Sequence, residues 1–273
     1  MSGAELDRYC VIGNPIAHSK SPEIHPVFAA QTGQRLVYER CLAPLDGFAA
    51  TVRGLVAQGY KGANVTVPFK LEAAALATHL SARARAAGAV NTLSFIDGAI
   101  HGDNTDGPGL VADIVRNAGV ALAGKRILLL GAGGAARGIL LPFLEQGPES
   151  ILLANRTVAT AEALVANFPG FGTQLAACGF GDITGSFDIV VNATSASLNA
   201  DLPPVPGTAF TEKTLAVDIM YGDKPTPFMA FSAAQGACTR DGLGMLVEQA
   251  AEAFAIWRGV RPETGDVFRK LRH

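Results

Sequence analysis

Cysteine is scarce in this chain, with four residues among 273. Cys10, Cys41, Cys178 and Cys238 stand far apart and form neither a Cys-x-x-Cys pair nor a Cys/His ligand spacing. This distribution excludes a disulfide scaffold and a structural zinc site, and no other metal site is apparent. We therefore expect buried free thiols, no bound metal and a reducing, cytoplasmic location.

An excess of positive charge is also missing. The chain has 22 basic and 24 acidic residues, a net charge of −2, and no run of five basic residues. This balance argues against nucleic acid and against an anionic membrane surface as partners. No stretch reaches 18 consecutive apolar residues, and residues 1–7 are polar and acidic, so we expect neither membrane insertion nor secretion. A small molecule is the expected partner, and the sequence leaves monomer and homodimer open.

A glycine-rich turn is the most informative feature that is present. It reads Gly-Ala-Gly-Gly-Ala-Ala-Arg over residues 131–137, directly after an apolar strand. Gly131 permits the tight turn, Gly133 lets phosphates approach the backbone, and Ala136 takes the third, packing position. Backbone N–H groups at the helix start, at Gly134 and Ala135, would bind a pyrophosphate. The pattern predicts a dinucleotide site, the alternative being an ordinary tight turn between strand and helix.

The turn after the next strand indicates which dinucleotide binds. An NAD enzyme usually places Asp or Glu there to bind the ribose 2′-hydroxyl. This chain has Asn155, Arg156 and Thr157 instead. A guanidinium can hold a 2′-phosphate with charge-assisted hydrogen bonds, whereas an acid would repel it. We therefore predict NADP as the cofactor, unless Arg156 is merely a solvated side chain.

Strand-like and helical runs alternate along the chain, and 49% of the residues are hydrophobic. The pattern predicts an α/β protein with parallel sheets and two domains. Asp97-Gly98 between two strands is a type I′ hairpin signal. The expected strands are 9–12, 36–41, 64–67, 92–96, 99–101, 126–130, 150–154, 187–191 and 215–219, and the expected helices are 22–31, 45–58, 69–80, 109–117 and 243–257.

The last of these helices carries an apolar stripe that must pack on another element. We expect it to return to the first domain, so that the chain crosses between domains twice. The predicted architecture is an N-terminal α/β substrate domain plus a Rossmann-like NADP-binding domain. Residues 1–106 and 238–273 would form the substrate-binding and catalytic domain, and residues 107–237 the NADP-binding domain.

Two hydroxyl side chains follow the first strand. Ser21 precedes Pro22, which predicts a helix N-cap at Ser21 with proline at the first helical position. Ser19 and Ser21 beside a helix N-terminus would also form a pocket for a small carboxylate. His18 and His25 are more typical of packing or hydrogen-bonding residues than of general acids, because no catalytic partner is placed by local spacing.

Two further segments carry candidate chemistry. Asn-Val-Thr-Val-Pro-Phe-Lys, residues 64–70, is a strand that runs into a helix start. In an open parallel sheet, ligands bind at the carboxyl ends of the strands, where Thr66 and Lys70 fall. Lys70 is equally compatible with a surface lysine, and Asp106 with the N-cap of the helix that follows it.

The chain resembles the shikimate dehydrogenases of the aromatic amino acid pathway over its whole length. The resemblance rests on eight segments in the family's order: GNPIAHSKSPEIH, ANVTVPFK, AGAVNT, GDNTDGPG, GAGGAARG, NRT, VNATS and DGLGMLVEQA. It implies an oxidoreductase that catalyses the reversible NADPH-linked reduction of 3-dehydroshikimate to shikimate.

The resemblance also implies roles for individual residues. Lys70 and Asp106 would be the catalytic pair, since the alkoxide left by hydride transfer needs a proton donor. The implied substrate ligands are Ser19 and Ser21 for the carboxylate, and Thr66, Asn91, Gln249 and Tyr221 around the ring. The implied cofactor ligands are Gly131, Gly133, Gly134, Ala135, Asn155, Arg156, Thr157, Thr194, Gly242 and Met245.

Three positions depart from the family pattern. Thr160 stands where a second arginine often follows the NRT segment, so the 2′-phosphate clamp would have one arginine. The usual Tyr-x-Pro-x-x-Thr-Pro becomes Tyr-Gly-Asp-Lys-Pro-Thr-Pro over 221–227, and Ser197 replaces a common glycine. Two alternatives remain: a quinate/shikimate dehydrogenase that uses NAD or NADP, and a non-catalytic NADP-sensing protein.

Overall fold

The computed structural model describes residues 6–194, 196 and 201–272. Ser197, one of the three departures, lies outside these residues. The described chain divides into two compact units, one comprising the residues up to Gly109 together with those from Val247 onward, and the other Leu110–Leu246. We call them unit 1 and unit 2.

Unit 1 contains a six-stranded sheet in the order β2-β1-β3-β5-β6-β4. β1 pairs in parallel with β2 and β3, whereas β5 is antiparallel to both β3 and β6. The strands are β1 (Asp7–Gly13), β2 (Leu36–Leu42), β3 (Gly62–Val65), β4 (His79–Leu80), β5 (Thr92–Ile96) and β6 (Ala99–Asp103). The early helices are α1 (Ser21–Gln31), α2 (Phe48–Ala57), α3 (Lys70–Leu76) and α4 (Ala82–Ala87).

The core of unit 1 follows from the apolar spacing of α2. Phe48, Val52 and Leu55 recur at helical spacing and are buried against Ile12 and Val65 of the sheet. The β5–β6 hairpin is confirmed, because Asp97 and Gly98 have φ of 50° and 79°, as a type I′ turn requires. One expected helix was too long: α3 ends at Leu76, and the chain continues as the short edge strand β4.

Unit 2 contains a six-stranded sheet in which every pairing is parallel, in the order β12-β11-β10-β7-β8-β9. Numbered from β7, this order is 6-5-4-1-2-3, which is that of a doubly wound dinucleotide-binding fold. The strands are β7 (Arg126–Leu130), β8 (Ser150–Ala154), β9 (Leu175–Cys178), β10 (Ile189–Asn192), β11 (Leu215–Asp218) and β12 (Cys238–Arg240). The intervening helices are α6 (Gly134–Leu144), α7 (Val158–Val165) and α8 (Pro227–Ala234).

Three short strands were not predicted from the sequence: β4, β9 and β12. β12 begins at residue 238, where we expected the chain to have left the nucleotide-binding domain, and it pairs with β11 in unit 2. All four cysteines are free and lie in strands, but only Cys10 is fully buried, and Cys238 is exposed. The expectation of buried thiols was therefore wrong for Cys238.

Two helices contain the unit boundaries. α5 (Asp106–Ala112) continues as a π-helical turn, Asp113–Asn117. α9 (Leu243–Arg258) precedes α10 (Gly265–Leu271). The return of the C-terminal helix to the first domain is confirmed, because Trp257 Nε1 donates to the Leu93 carbonyl at 3.0 Å and its ring stacks on Tyr9 at 4.6 Å. None of the described helices combines the length and the apolar character that crossing a bilayer requires.

Candidate active site

β1 leads to Ser19 and Ser21, and the neighbouring strand β3 leads to Lys70. Their carboxyl ends lie side by side, so the two following segments begin at the same edge of the sheet. β1 and β3 are in parallel register, with Ile12 opposite Val65. Backbone hydrogen bonds continue beyond the strands, from Thr66 N to Ile12 O at 2.9 Å and from Asn14 N to Val67 O at 3.1 Å. A Cβ added to Gly13 would lie 2.5 Å from Thr66 Cγ2, so a larger residue there would displace the Thr66 side chain.

Ser19 and Ser21 lie in the segment that joins β1 to α1. The predicted N-cap at Ser21 is wrong: α1 begins at Ser21, and its N-cap residue is Lys20. The reason is local, because Lys20 already has helical backbone angles, so Ser21 falls within the first turn. The Ser19 hydroxyl accepts from Ser21 N at 3.4 Å, and Arg40 holds the Ser19 carbonyl. Ser21 is buried and Ser19 is half-buried. This degree of burial is compatible with the expected role of the two serines as ligands of a small carboxylate.

Lys70 and Asp106 form an ion pair. Lys70 is the first residue of α3 and Asp106 the first residue of α5. Lys70 Nζ and Asp106 Oδ2 are 2.6 Å apart, and their side chains are 20% and 7% exposed. Asp106 is not the N-cap that local spacing allowed, and its own N–H is bound by Asn104 Oδ1 at 3.1 Å. An ammonium beside a mostly buried carboxylate can both hold negative charge and transfer a proton.

Asn91 and Gln249 join this pair from distant parts of the sequence. Asn91 Nδ2 donates to Asp106 Oδ1 at 2.8 Å and lies 3.5 Å from Gln249 Oε1. α9 carries Gln249 to this position because it packs closely on α5, where a Cβ on Gly109 would lie 2.6 Å from Gln249 N. The structure therefore brings Lys70, Asp106, Asn91 and Gln249 into one cluster of polar side chains.

Thr105 completes this cluster and was not predicted from the sequence. It is fully buried, its N–H donates to Asn91 Oδ1 at 2.8 Å, and its hydroxyl bonds with both Asn91 and Gln249. The only sequence signal for Thr105 was its position directly before Asp106. This signal is weak, because a threonine at that position is equally typical of a helix start. Thr105 fixes the orientation of the Asn91 amide and hence which of its atoms faces Asp106.

A charged network supports the same segment from the side. Asp103, at the end of β6, accepts from Arg83 Nε at 2.7 Å, Ser81 Oγ at 2.6 Å and Asn104 N at 2.7 Å. Burial opposes ionisation of Asp103, but the hydrogen bonds from Arg83 and Ser81 outweigh it and lower the pKa of this carboxyl. Arg83 also bonds with Glu252 on α9 at 3.1 Å. Through Arg83, the network thus links the end of β6, which precedes Thr105 and Asp106, to α9, which contains Gln249.

The two histidines of the first helix segment have different surroundings. His25 is fully buried, stacks on Tyr38 at 4.1 Å and lies within 6.3 Å of Phe254. Neither of its ring nitrogens has a hydrogen-bond partner among the described residues. Burial lowers the pKa of His25 to about 3. The interpretation of His25 as a packing residue is therefore confirmed, whereas His18 is exposed.

The glycine turn of unit 2 lies between β7 and α6, at the point where the strand order reverses. Gly131 has a φ of 99°, which L side chains rarely adopt, and a Cβ there would lie 3.1 Å from the Ala193 carbonyl. Gly133 is exposed, with open space where a Cβ would stand, and α6 begins at Gly134. Ala135 follows in the first turn, and Ala136 is fully buried, as its packing role requires. The turn therefore fits a pyrophosphate at the N-terminus of α6.

The Asn155–Thr157 turn follows β8, the neighbour of β7. Asn155 Nδ2 donates to the Thr157 carbonyl at 2.9 Å and so fixes the turn. Arg156 and Thr157 are exposed, as is Thr160. An exposed guanidinium on a fixed turn, with no acid beside it in the sequence, fits a 2′-phosphate better than a bare 2′-hydroxyl.

The remaining predicted residues follow β10, β11 and β12. Thr194 donates its N–H and its hydroxyl to Asn192 Oδ1, at 3.1 and 2.7 Å. Tyr221 is half-buried after β11, in unit 2, whereas the other predicted substrate ligands are in unit 1. Gly242 packs against the Ile219 carbonyl, leaving no room for a Cβ, and Met245 is 7% exposed in the first turn of α9. Among the described residues, no group of three or more His, Cys, Asp or Glu is arranged to hold a metal ion.

The doubly wound unit, the glycine turn and the Lys70–Asp106 pair together define an oxidoreductase that uses a nicotinamide dinucleotide. Comparison with known proteins narrows this class. Residues 11–93 match the shikimate dehydrogenase substrate binding domain, residues 113–205 match shikimate / quinate 5-dehydrogenase, and residues 242–269 match the shikimate 5′-dehydrogenase C-terminal domain. The chain belongs to the shikimate dehydrogenase family.

Individual relatives agree with this assignment. The chain is 62% identical to the NADP(+) shikimate dehydrogenase of Janthinobacterium sp. (strain Marseille), with 97% of both chains covered. It is similar to the crystal structure of an Ael1 enzyme from Pseudomonas putida, with 50% identity, a TM-score of 0.92 and 98% of both chains covered. A shikimate 5-dehydrogenase from Thermus thermophilus, solved with NADP(H) and shikimate, is 32% identical with a TM-score of 0.87, covering 98% of this chain and 99% of that one.

Proposed function

We propose that this protein catalyses the reversible NADP-linked interconversion of 3-dehydroshikimate and shikimate. The observation that carries the proposal is the 2.6 Å Lys70–Asp106 pair, set beside the amides of Asn91 and Gln249. A non-catalytic NADP sensor would not need an ion pair that is largely shielded from solvent and whose carboxylate is held by Asn91. Relatives that share more than half of the sequence over nearly the whole chain are named NADP(+) shikimate dehydrogenases.

NADP, when bound, exchanges a hydride with the carbon that bears the reacting oxygen. Lys70 would supply the proton to that oxygen in reduction and remove it in oxidation. Asp106 holds the ammonium in place, and Asn91 holds Asp106 through its other carboxylate oxygen. The Lys70 side chain therefore acts as a proton carrier whose position is fixed by two further groups.

The substrate class follows from the remaining side chains. Shikimate carries one carboxylate and three ring hydroxyls. We propose that Ser19 and Ser21 bind the carboxylate, and that Thr66, Asn91, Gln249 and Tyr221 bind around the ring. Support comes from the buried hydroxyl of Ser21 and from amide groups that can both donate and accept.

The cofactor would be held by two turns of unit 2. The N–H groups at Gly133, Gly134 and Ala135 would bind the pyrophosphate after the turn at Gly131. Asn155, Arg156 and Thr157 would bind the adenosine 2′-phosphate. Thr194, Gly242 and Met245 would contact the nicotinamide half.

A quinate/shikimate dehydrogenase is the second candidate, because residues 113–205 match a family described as shikimate / quinate 5-dehydrogenase. Initial rates with shikimate and quinate, each with NADP and NAD, separate the two. We expect the highest kcat/KM with shikimate and NADP. A higher kcat/KM with quinate, or with NAD, would favour the second candidate.

The role of Lys70 can be tested in the same assay. Lys70→Ala should lose about 10²- to 10⁴-fold in turnover, as expected for a general acid–base group. It should still bind NADP, since Lys70 lies in unit 1. Lys61→Ala is the matched control, because Lys61 is exposed and lies just before the same strand, β3. Turnover of Lys70→Ala within threefold of the parent would remove Lys70 from the mechanism.

Location and assembly are the last parts of the proposal. We propose a cytoplasmic enzyme, supported by four free cysteines, one of them exposed. We propose a monomer or a homodimer, to be decided by light scattering of the purified protein.

A further inference from the structure

We propose that Asp218 is a positioning residue for the nicotinamide half of the cofactor site. The inference rests on the proposed function and adds a residue that no sequence motif singled out. Asp218 is the last residue of β11, at the carboxyl end of the unit 2 sheet. It is fully buried in the described structure.

Within the described residues, the hydrogen bonds to this carboxylate include those from three neutral donors, at the end of β10, in the turn after β11 and at the start of α8. Its Oδ1 accepts from Met220 N at 3.0 Å. Its Oδ2 accepts from Thr226 Oγ1 at 2.6 Å and from Asn192 Nδ2 at 3.2 Å. A buried carboxylate with donors on both oxygens can hold three segments in one geometry, because each donor would otherwise be left unsatisfied.

The first segment leads to Thr194. Asn192 is the last residue of β10, and its amide nitrogen is held by Asp218. Its amide oxygen is thereby turned toward residue 194, where it accepts both the N–H and the hydroxyl of Thr194. Asp218 therefore fixes which side of the Asn192 amide faces Thr194.

The second segment leads to Gly242. Asp218 holds the N–H of Met220, and the Met220 carbonyl accepts from Gly242 N at 2.9 Å. Gly242 comes directly before α9, whose first turn contains Met245. One buried side chain thus sets the turn after β11, which includes Tyr221, and the start of the segment expected to contact the nicotinamide.

The third segment resolves the altered Tyr-x-Pro-x-x-Thr-Pro motif. Thr226 donates to Asp218 and also caps α8, where its hydroxyl accepts from Met229 N at 3.2 Å. The threonine hydroxyl therefore closes the loop 219–226 at both ends, even though the first proline of the motif is replaced by Asp223.

The experiment compares two ligands that report on different halves of the cofactor site. In Asp218→Asn, an amide must replace a carboxylate that accepts at least three donors, so at least one donor loses its acceptor. We expect kcat with shikimate to fall at least about tenfold and the Kd for NADP to rise by a similar factor. The Kd for 2′,5′-ADP, which lacks the nicotinamide half, should stay within about twofold, because Arg156 is on a different turn.

The control is Asp188→Asn at the opposite end of the same sheet. Asp188 accepts from Arg126 N at 2.9 Å, so this variant also removes a carboxylate that holds backbone. It should leave kcat and both Kd values within about threefold of the parent. Thr226→Val should reproduce the Asp218→Asn pattern more weakly, and Thr226→Ser, which keeps the hydroxyl, should restore the parent values.

Three outcomes would overturn the proposal. Parent-like kcat and NADP binding in Asp218→Asn would show that the carboxylate positions nothing that matters for the reaction. Equal loss of NADP and 2′,5′-ADP binding would show a general structural role. If Asp218→Asn does not fold, equal values for Thr226→Val and Thr226→Ser would refute it. A parent that binds NADP but does not oxidise shikimate would refute the proposed function alone, because the two Kd values would still test Asp218.

Discussion

The buried His25 ring should make the stability of unit 1 depend on pH in a defined direction. Burial lowers the pKa of His25 to about 3, whereas an unfolded histidine titrates near 6.5. Between these values the unfolded chain binds a proton that the folded chain does not. The free energy of unfolding therefore rises with pH through this window. The contribution of His25 to it is complete only above the unfolded pKa.

The size of the effect follows from that window. Each pH unit between the two pKa values changes the free energy of unfolding by about 1.4 kcal/mol. Lowering the pH from 7 to 5 should therefore remove about 2 kcal/mol through His25 alone. This figure depends on the unfolded pKa as long as the folded pKa lies well below 5. Burial of the His25 ring places its folded pKa there, at about 3.

Urea unfolding at several pH values between 5 and 7 measures this term. The single tryptophan, Trp257, is a local reporter because its ring lies 5.4 Å from that of His25. His25→Phe keeps a ring in the stack but cannot titrate. Between pH 7 and 5, the free energy of unfolding of this variant should therefore fall by about 2 kcal/mol less than that of the parent. His18→Gln is the control, because it also removes an imidazole but at an exposed position outside the buried stack. Equal slopes in the parent and in His25→Phe would refute the argument.

Three further predictions concern the site. Ser19→Ala and Ser21→Ala should each raise the shikimate KM by about 5- to 150-fold, the cost of a hydrogen bond to a charged group, with little change in NADP affinity; an unchanged KM in both would place the carboxylate elsewhere. Arg156→Ala should raise the NADP KM by about 10- to 150-fold and leave NAD kinetics nearly unchanged, and added salt should weaken NADP binding more in the parent; a parent that prefers NAD would contradict this. Asp106→Asn should reduce kcat by a factor similar to that of Lys70→Ala. In the double variant, the fall in kcat should be much smaller than the product of the two single factors; a fall equal to that product would show that the pair does not act as a unit.

The elements that the sequence predicted well are those whose signal is local. The strand, glycine turn and helix over 126–144 follow from apolar runs and from residues that only one backbone geometry accommodates, as the φ of Gly131 illustrates. The same holds for the Asp97-Gly98 turn. The N-cap at Ser21 was wrong because the position of Pro22 allows the helix to begin one residue earlier, and Lys20 adopts that geometry.

The elements that were missed depend on distant partners. β9 and β12 have four and three residues, too few for a periodic pattern, and they exist because parallel neighbours pair with them. Asn91 and Gln249 are 158 residues apart, so only the family resemblance could bring them together before the fold was known. Asp218 was overlooked because an acid at the end of an apolar strand is equally typical of a solvated loop.

The two parts of the candidate site differ in how strongly the fold constrains them. Asn91, Thr105 and Asp106 are nearly or fully buried, and Asn91 binds both of the others, so a change at Asn91 leaves two buried polar groups without this partner. Arg156 is exposed on a turn that Asn155 and Thr157 hold without it. Substitution of Arg156, the proposed 2′-phosphate ligand, should therefore cost little stability, whereas substitution of Asn91, a proposed substrate ligand, should lower it. Thermal unfolding should reflect this difference: Arg156→Ala should keep the parent Tm, and Asn91→Ala should lower it.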